Sequence, residues 1–168
     1  MKHLNYKILA LFMCSLIFLS GCGASGAKSK STIPFTDMTF SSSADDVIAA
    51  EGDQYETYDS IYDGITYTYP KEYMDKAGTI KYMCDEGGAL QNIAWTYAGD
   101  DGAEVMVLYN NIYAELKNTY GEPTQNADGV NNYAEVWKMD SGNIILSAVL
   151  TSDSKMMQVA FLSPAVSK

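Results

Sequence analysis

Val105, Leu108, Tyr109, Ile112, Tyr113, Leu116 and Tyr120 recur at steps of three and four, the period of one face of an α-helix. The spacing predicts a helix through this stretch. Asp100, Asp101 and Glu104 sit near its start, where the helix dipole favours negative charge. Gly121 and Pro123 end it. A shorter stripe of Ala44, Val47 and Ile48 follows Ser43, with Asp46 three places on and Gly52 beyond. A capping box and a glycine stop predict a short helix over about 44–51.

Elsewhere the period is two. Tyr55 to Tyr69 alternates and is rich in Tyr, Ile and Thr. It predicts a hairpin turning at Asp63-Gly64, with Pro70 closing its second arm. Thr79–Cys84 and Ala89–Tyr97 predict a second hairpin around Asp85-Glu86-Gly87-Gly88. Tyr133–Met139 and Ile144–Leu150 predict a third around Asp140-Ser141-Gly142-Asn143, and Met156–Leu162 a final strand. Ile33–Phe40 reads as a first strand or an extended lead-in. Short turns between successive strands favour an antiparallel meander over crossovers. The expected class is therefore α+β: two helices packed on one face of a curved, mainly antiparallel meander sheet. The order helix, glycine, antiparallel strands occurs twice, which reads as a duplicated helix-plus-strands unit.

The start of the chain follows a different pattern. Lys2 and Lys7 precede an uncharged run from Ile8 to Leu19, ILALFMCSLIFL. Twelve residues of helix span about 18 Å at ~1.5 Å per residue. A bilayer core of ~30 Å needs ~20 residues. The run has the length of a signal-peptide core. Ser20 and Gly21 follow, then Cys22. Leu19-Ser20-Gly21-Cys22 resembles the lipobox of bacterial lipoproteins. The resemblance implies cleavage before Cys22, diacylglycerol on its sulfur, and an extracytoplasmic chain anchored to the cell membrane. Two or more acyl chains make such attachment lasting, whereas one is marginal. GASGAKSKST, from Gly23 to Thr32, reads as a flexible tether. The expected organisation is a cleaved signal peptide at 1–21, a lipidated cysteine and tether at 22–32, and one domain at 33–168. In element order alone, the domain is similar to the tandem modules of the beta-lactamase inhibitor protein and to small outer-membrane assembly lipoproteins. No functional residue carries over from that likeness.

Composition narrows the chemistry. All eleven basic residues are Lys. Loss of residues 1–21 removes Lys2 and Lys7, leaving nine Lys against 21 Asp and Glu, a formal charge of −12. Phosphate recognition needs basic patches and Arg forks, so nucleic acid is disfavoured as a partner. The single His, His3, leaves with the leader. A Ser-His-Asp or Cys-His site then has no base to use. Cys84 becomes the sole unmodified thiol, expected as a small buried side chain on a strand rather than a reactive group.

The acid pairs Asp45-Asp46 and Asp100-Asp101 fall at helix starts, and Asp85-Glu86 falls in a turn. Capping and solvation account for them, and the spacing around Gly102 is not that of a calcium loop. No metal or cofactor is expected. Twelve of the thirteen tyrosines follow the leader. Tyr55, Tyr58, Tyr62, Tyr67 and Tyr69 concentrate on one hairpin. An exposed aromatic face would suit a protein or glycan partner, although Tyr also suits half-buried strands. The expectation is a non-enzymatic module, tethered to the membrane, that binds a protein or ligand at the cell envelope. The rivals are a hydrolase working through carboxylates without His, and a carrier of a small apolar ligand.

Overall fold

The computed structural model describes residues 33–167. The expected signal peptide, Cys22 and the tether lie outside the described residues. Helix α1 spans Ala44–Glu51. The Ser43 side chain accepts from the Asp46 N–H, and the Asp46 carboxylate accepts from the Ser43 N–H at 2.9 Å. Gly52, at φ 101°, ends the helix and donates its N–H to the Ile48 carbonyl at 2.9 Å. Helix α2 spans Gly102–Tyr120. Asp101 caps its start by accepting from the Ala103 N–H at 2.9 Å. The apolar stripe buries Val105, Leu108, Tyr109, Ile112 and Leu116.

Eight strands form one antiparallel sheet: β1 Glu56–Asp59, β2 Asp63–Tyr73, β3 Lys76–Asp85, β4 Leu90–Ala98, β5 Gln125–Asn126, β6 Asn132–Met139, β7 Gly142–Leu150 and β8 Lys155–Leu162. Their spatial order is β1-β2-β3-β4-β8-β7-β6-β5. The chain is thus a helix followed by four strands, twice over. Each quartet is a meander, and the two join through their last strands, with Ala94 opposite Ala160. Helix α1 lies against β3, and α2 against β7 and β8.

The register sorts side chains into rows across the sheet. On the helix-covered face one row runs Tyr67, Tyr82, Ile93, Phe161, Ile144, Trp137. The five from Tyr82 to Trp137 are no more than 5% exposed. Ile33 and Phe35 close the same core, with the Phe35 ring 5.8 Å from that of Phe161. A polar cluster clamps α1 to the sheet. The buried Tyr82 hydroxyl donates to Glu51 Oε1 at 2.5 Å and lies 2.7 Å from the Thr36 hydroxyl. Lys71 Nζ donates to both Glu51 oxygens at 3.0 Å.

Three local expectations are corrected. Residues 33–40 form turns and bends, not a strand; Ile33 and Phe35 are buried in the core. The first hairpin turns at Ser60–Tyr62, and Asp63 takes a left-handed φ of 65° as β2 begins. Pro70 does not end β2, which continues to Tyr73 and turns through Met74 and Asp75 at φ 49° and 59°. β1 pairs with β2 only as far as Thr68. Position 70 therefore lies where β2 is itself an edge, and an edge tolerates a residue without an N–H.

Candidate interaction surface

The register divides the five hairpin tyrosines. Tyr67 and Tyr69 face the helix side with Tyr82. Tyr69 is 3% exposed and donates its hydroxyl to the Gly52 carbonyl at 3.2 Å. The Tyr55 ring joins them, 5.3 Å from Tyr67 and 5.7 Å from Tyr69. Burial, then neighbouring phenols, raises the Tyr67 and Tyr69 hydroxyls above their ordinary values, with the buried Cys84 thiol acting before Tyr55 on Tyr67. Tyr58 points to the opposite face, opposite Thr66, and is 48% exposed. Tyr62 sits in the turn, its N–H donated to Ser60 Oγ at 3.2 Å. Three tyrosines assemble on the covered side and two stand apart. The aromatic hairpin is therefore not one binding face.

The opposite face of the sheet is open: among the described residues, neither helix packs on it. Two rows cross it. One runs Tyr58, Thr66, Met83, Asn92, Leu162, Asn143, Lys138. The other runs Glu56, Thr68, Lys81, Ala94, Ala160, Ile145, Val136. Ala94 and Ala160, at 0% and 2% exposure, form a low centre between larger neighbours. Charge is confined in these rows to Glu56, Lys81 and Lys138, with Lys81 Nζ 6.0 Å from the Tyr58 ring.

Three polar oxygens on this face, Thr66 Oγ1, Thr68 Oγ1 and Asn92 Oδ1, are buried without a hydrogen-bond partner among the described residues. Buried polar groups are ordinarily paired. A groove of about 520 Å³ opens along the free edge of β2, between Thr68, Pro70 and Thr79 and the covered-side rings of Tyr55 and Tyr69. Sequence reasoning missed Thr66, Thr68, Lys81 and Asn92 because alternation alone does not say which side a helix covers.

A second polar feature lies on the covered side. Burial first, then Asp128 and Glu122, push the Glu135 carboxyl above its ordinary value. Cys84 is 1% exposed, and burial raises its thiol, as a packed small side chain requires. Among the described residues no group of three or more His, Cys, Asp or Glu is placed to hold a metal ion. No helix among them is long and apolar enough to cross a membrane.

Fold and surface together define an α+β protein of two helix-plus-four-strand units sharing one sheet, with both helices on one side and, among the described residues, no helix on the other. No family model matches the chain, and no curated protein does. It is similar to a solved DUF4309 family protein (YjgB) from Bacillus subtilis subsp. subtilis str. 168 at 13% identity, over 73% of this chain and 79% of that chain, with a TM-score of 0.40. A likeness at that level carries no inference about this chain.

Proposed function

We propose that this chain is a lipoprotein, anchored through Cys22 on the extracytoplasmic face of the cell membrane, and that its domain binds a partner protein of the envelope through the open face of the sheet. The observation that carries the binding half is that face itself. It spans the sheet, mixes small apolar side chains with three unpaired buried oxygens, and holds charge only at Glu56, Lys81 and Lys138 in its two central rows. A protein surface supplies apolar contacts to such a patch and hydrogen bonds to its exposed polar groups. The formal charge of −12 after loss of residues 1–21 disfavours nucleic acid and anionic lipid as occupants. The anchoring half rests on Leu19-Ser20-Gly21-Cys22 and the charged, short apolar leader before it.

Each half has its own test. Cells expressing the full chain are fed a palmitate analogue, with Cys22→Ser alongside. The wild type takes the label and stays in the membrane; the variant loses both. An unlabelled wild type, or a retained and labelled variant, removes the anchor. Affinity capture with the full chain then compares Tyr58→Ala and Lys81→Ala with Val107→Ala, a residue exposed on α2. A partner held equally by all three does not use the open face.

A further inference from the structure

β1 begins at Glu56, opposite Thr68. The same register carried back along the chain would set residue 54 against Pro70, which has no N–H to give. The chain before Glu56 leaves the sheet instead, and its Gly52 carbonyl accepts from the Tyr69 hydroxyl at 3.2 Å on the covered side. β2 runs on to Tyr73 with no strand beside it on that flank. The groove of about 520 Å³ is the space between the departing chain and the bare edge of β2. Asp53, Tyr55 and Glu56 line it from the departing chain, Thr68 and Pro70 from β2.

The lining has a sign. Asp53 and Glu56 are exposed, and among the described residues neither is in an ion pair. Lys71, the cation that follows Pro70, is engaged by Glu51 at 3.0 Å. Tyr55 is 37% exposed, with the Tyr67 and Tyr69 rings packed 5.3 and 5.7 Å from its own. Two unpaired carboxylates beside an aromatic ring and a proline suit a cation on an apolar stem. The carboxylates face the charge, and the ring and Pro70 take the methylenes. Pro70 also stops a guest from pairing along β2 as a full strand, so the groove reads a side chain rather than a backbone. A second copy of this acidic chain would bring like charge to the groove, whereas a basic segment brings the opposite charge.

We propose that this groove receives a lysine or arginine side chain from an extended segment of a partner protein, its cation facing Asp53 and Glu56 and its stem against Tyr55 and Pro70. The proposal rests on the reading of the domain as a protein-binding module, and adds to it a contact of stated chemistry at the edge of the sheet.

The full chain in detergent micelles is titrated with the blocked peptide Ala-Ala-Lys-Ala-Ala, and at matched ionic strength with the same peptide carrying norleucine in place of lysine. Backbone amide shifts are followed. The lysine peptide gives saturable shifts centred on residues 53–56 and 68–70, and the norleucine peptide gives none. Asp53→Asn with Glu56→Gln weakens binding about fivefold or more, the change that two partly exposed ion pairs supply. Glu86→Gln with Asp140→Asn removes the same charge from exposed positions elsewhere and leaves binding as it was. Tyr55→Ala weakens binding about threefold, and Tyr55→Phe, which keeps the ring, does not. Shifts that never saturate, equal binding of the norleucine peptide, or equal losses in the two double variants overturn the site and leave general attraction to an acidic surface. Methylammonium chloride binding as tightly as the lysine peptide overturns the peptide as occupant in favour of a small cation. The same residues shifting as the chain alone is concentrated overturn it in favour of a second copy. The probe is synthetic and the readout lies at the sheet edge, so a failed titration removes the groove and leaves the open-face capture standing, and a failed capture leaves the titration.

Discussion

Replacing Tyr82 by phenylalanine removes one oxygen from the inside of the molecule and keeps the ring. That oxygen donates to Glu51 Oε1 at 2.5 Å and meets the Thr36 hydroxyl at 2.7 Å. The first contact joins helix α1 to the sheet; the second ties in the segment that precedes the helix. A hydrogen bond to a charged group contributes about 1.5–3 kcal/mol, and a neutral one about 0.5–1.5 kcal/mol. Glu51 keeps Lys71, which donates to both its oxygens at 3.0 Å, so its charge is not abandoned. Thr36 is only partly buried and can turn to water. The expected loss is therefore roughly 2–3 kcal/mol. For a domain of this size it lowers Tm by roughly 6–12 °C. Urea unfolding followed by tryptophan fluorescence measures it, since Trp95 and Trp137 are 0% and 1% exposed and report on both halves of the core. A double-mutant cycle with Glu51→Gln isolates the pair, with an expected coupling of about 1 kcal/mol or more. A loss under about 0.5 kcal/mol, or strict additivity, refutes the idea that this cluster clamps α1.

Gly142→Ala places a Cβ 2.1 Å from the Leu162 carbonyl oxygen, at a φ of 120°. It should destabilise by at least about 2 kcal/mol and shift the same urea midpoint downward; an unchanged midpoint contradicts the register of β7 and β8. Ser43→Ala removes the N-cap of α1 and should lower stability by about 1 kcal/mol, read by the same unfolding curve. The Glu135 carboxyl is raised from its ordinary value of 4.5, so the folded state binds the proton more tightly than the unfolded chain. Its ionisation therefore opposes folding, and stability falls as pH rises through the raised value. Glu135→Gln should be more stable than wild type at neutral pH and lose that advantage below about pH 4. Parallel melting curves across that range check this, and a variant less stable at neutral pH contradicts it.

Both helices were legible because their signals are local. Ser43, Asp46 and Gly52 lie within ten residues of one another and fix both ends of α1. The stripe from Val105 to Leu116 carries α2. The turns at Asp85–Ala89 and Asp140–Ser141 were legible for the same reason, since their Gly, Asp and Ser residues mark them. What escaped was decided by partners distant in sequence. Pro70 reads as a stop until the shortness of β1 shows that it sits on an edge. The join of β4 to β8 brings residues 94 and 160 together across the second helix, which no local pattern specifies. Tyr58 separates from Tyr67 and Tyr69 because it pairs with Thr66 rather than with its neighbour in register. Glu135 was readable and passed over. It shares strand parity with Tyr133 and Trp137, so the alternation already placed a carboxylate on the apolar side.

The open face of the sheet is the surface proposed to meet another protein. A photoreactive phenylalanine analogue in place of Met83, which lies between Thr66 and Asn92 on that face, reports contact directly in cells expressing the full chain. The same analogue at Val107, 61% exposed on α2, is the reference. A discrete covalent adduct from position 83 that position 107 does not give is the predicted result. No adduct from position 83, or the same adducts from both positions, contradicts it.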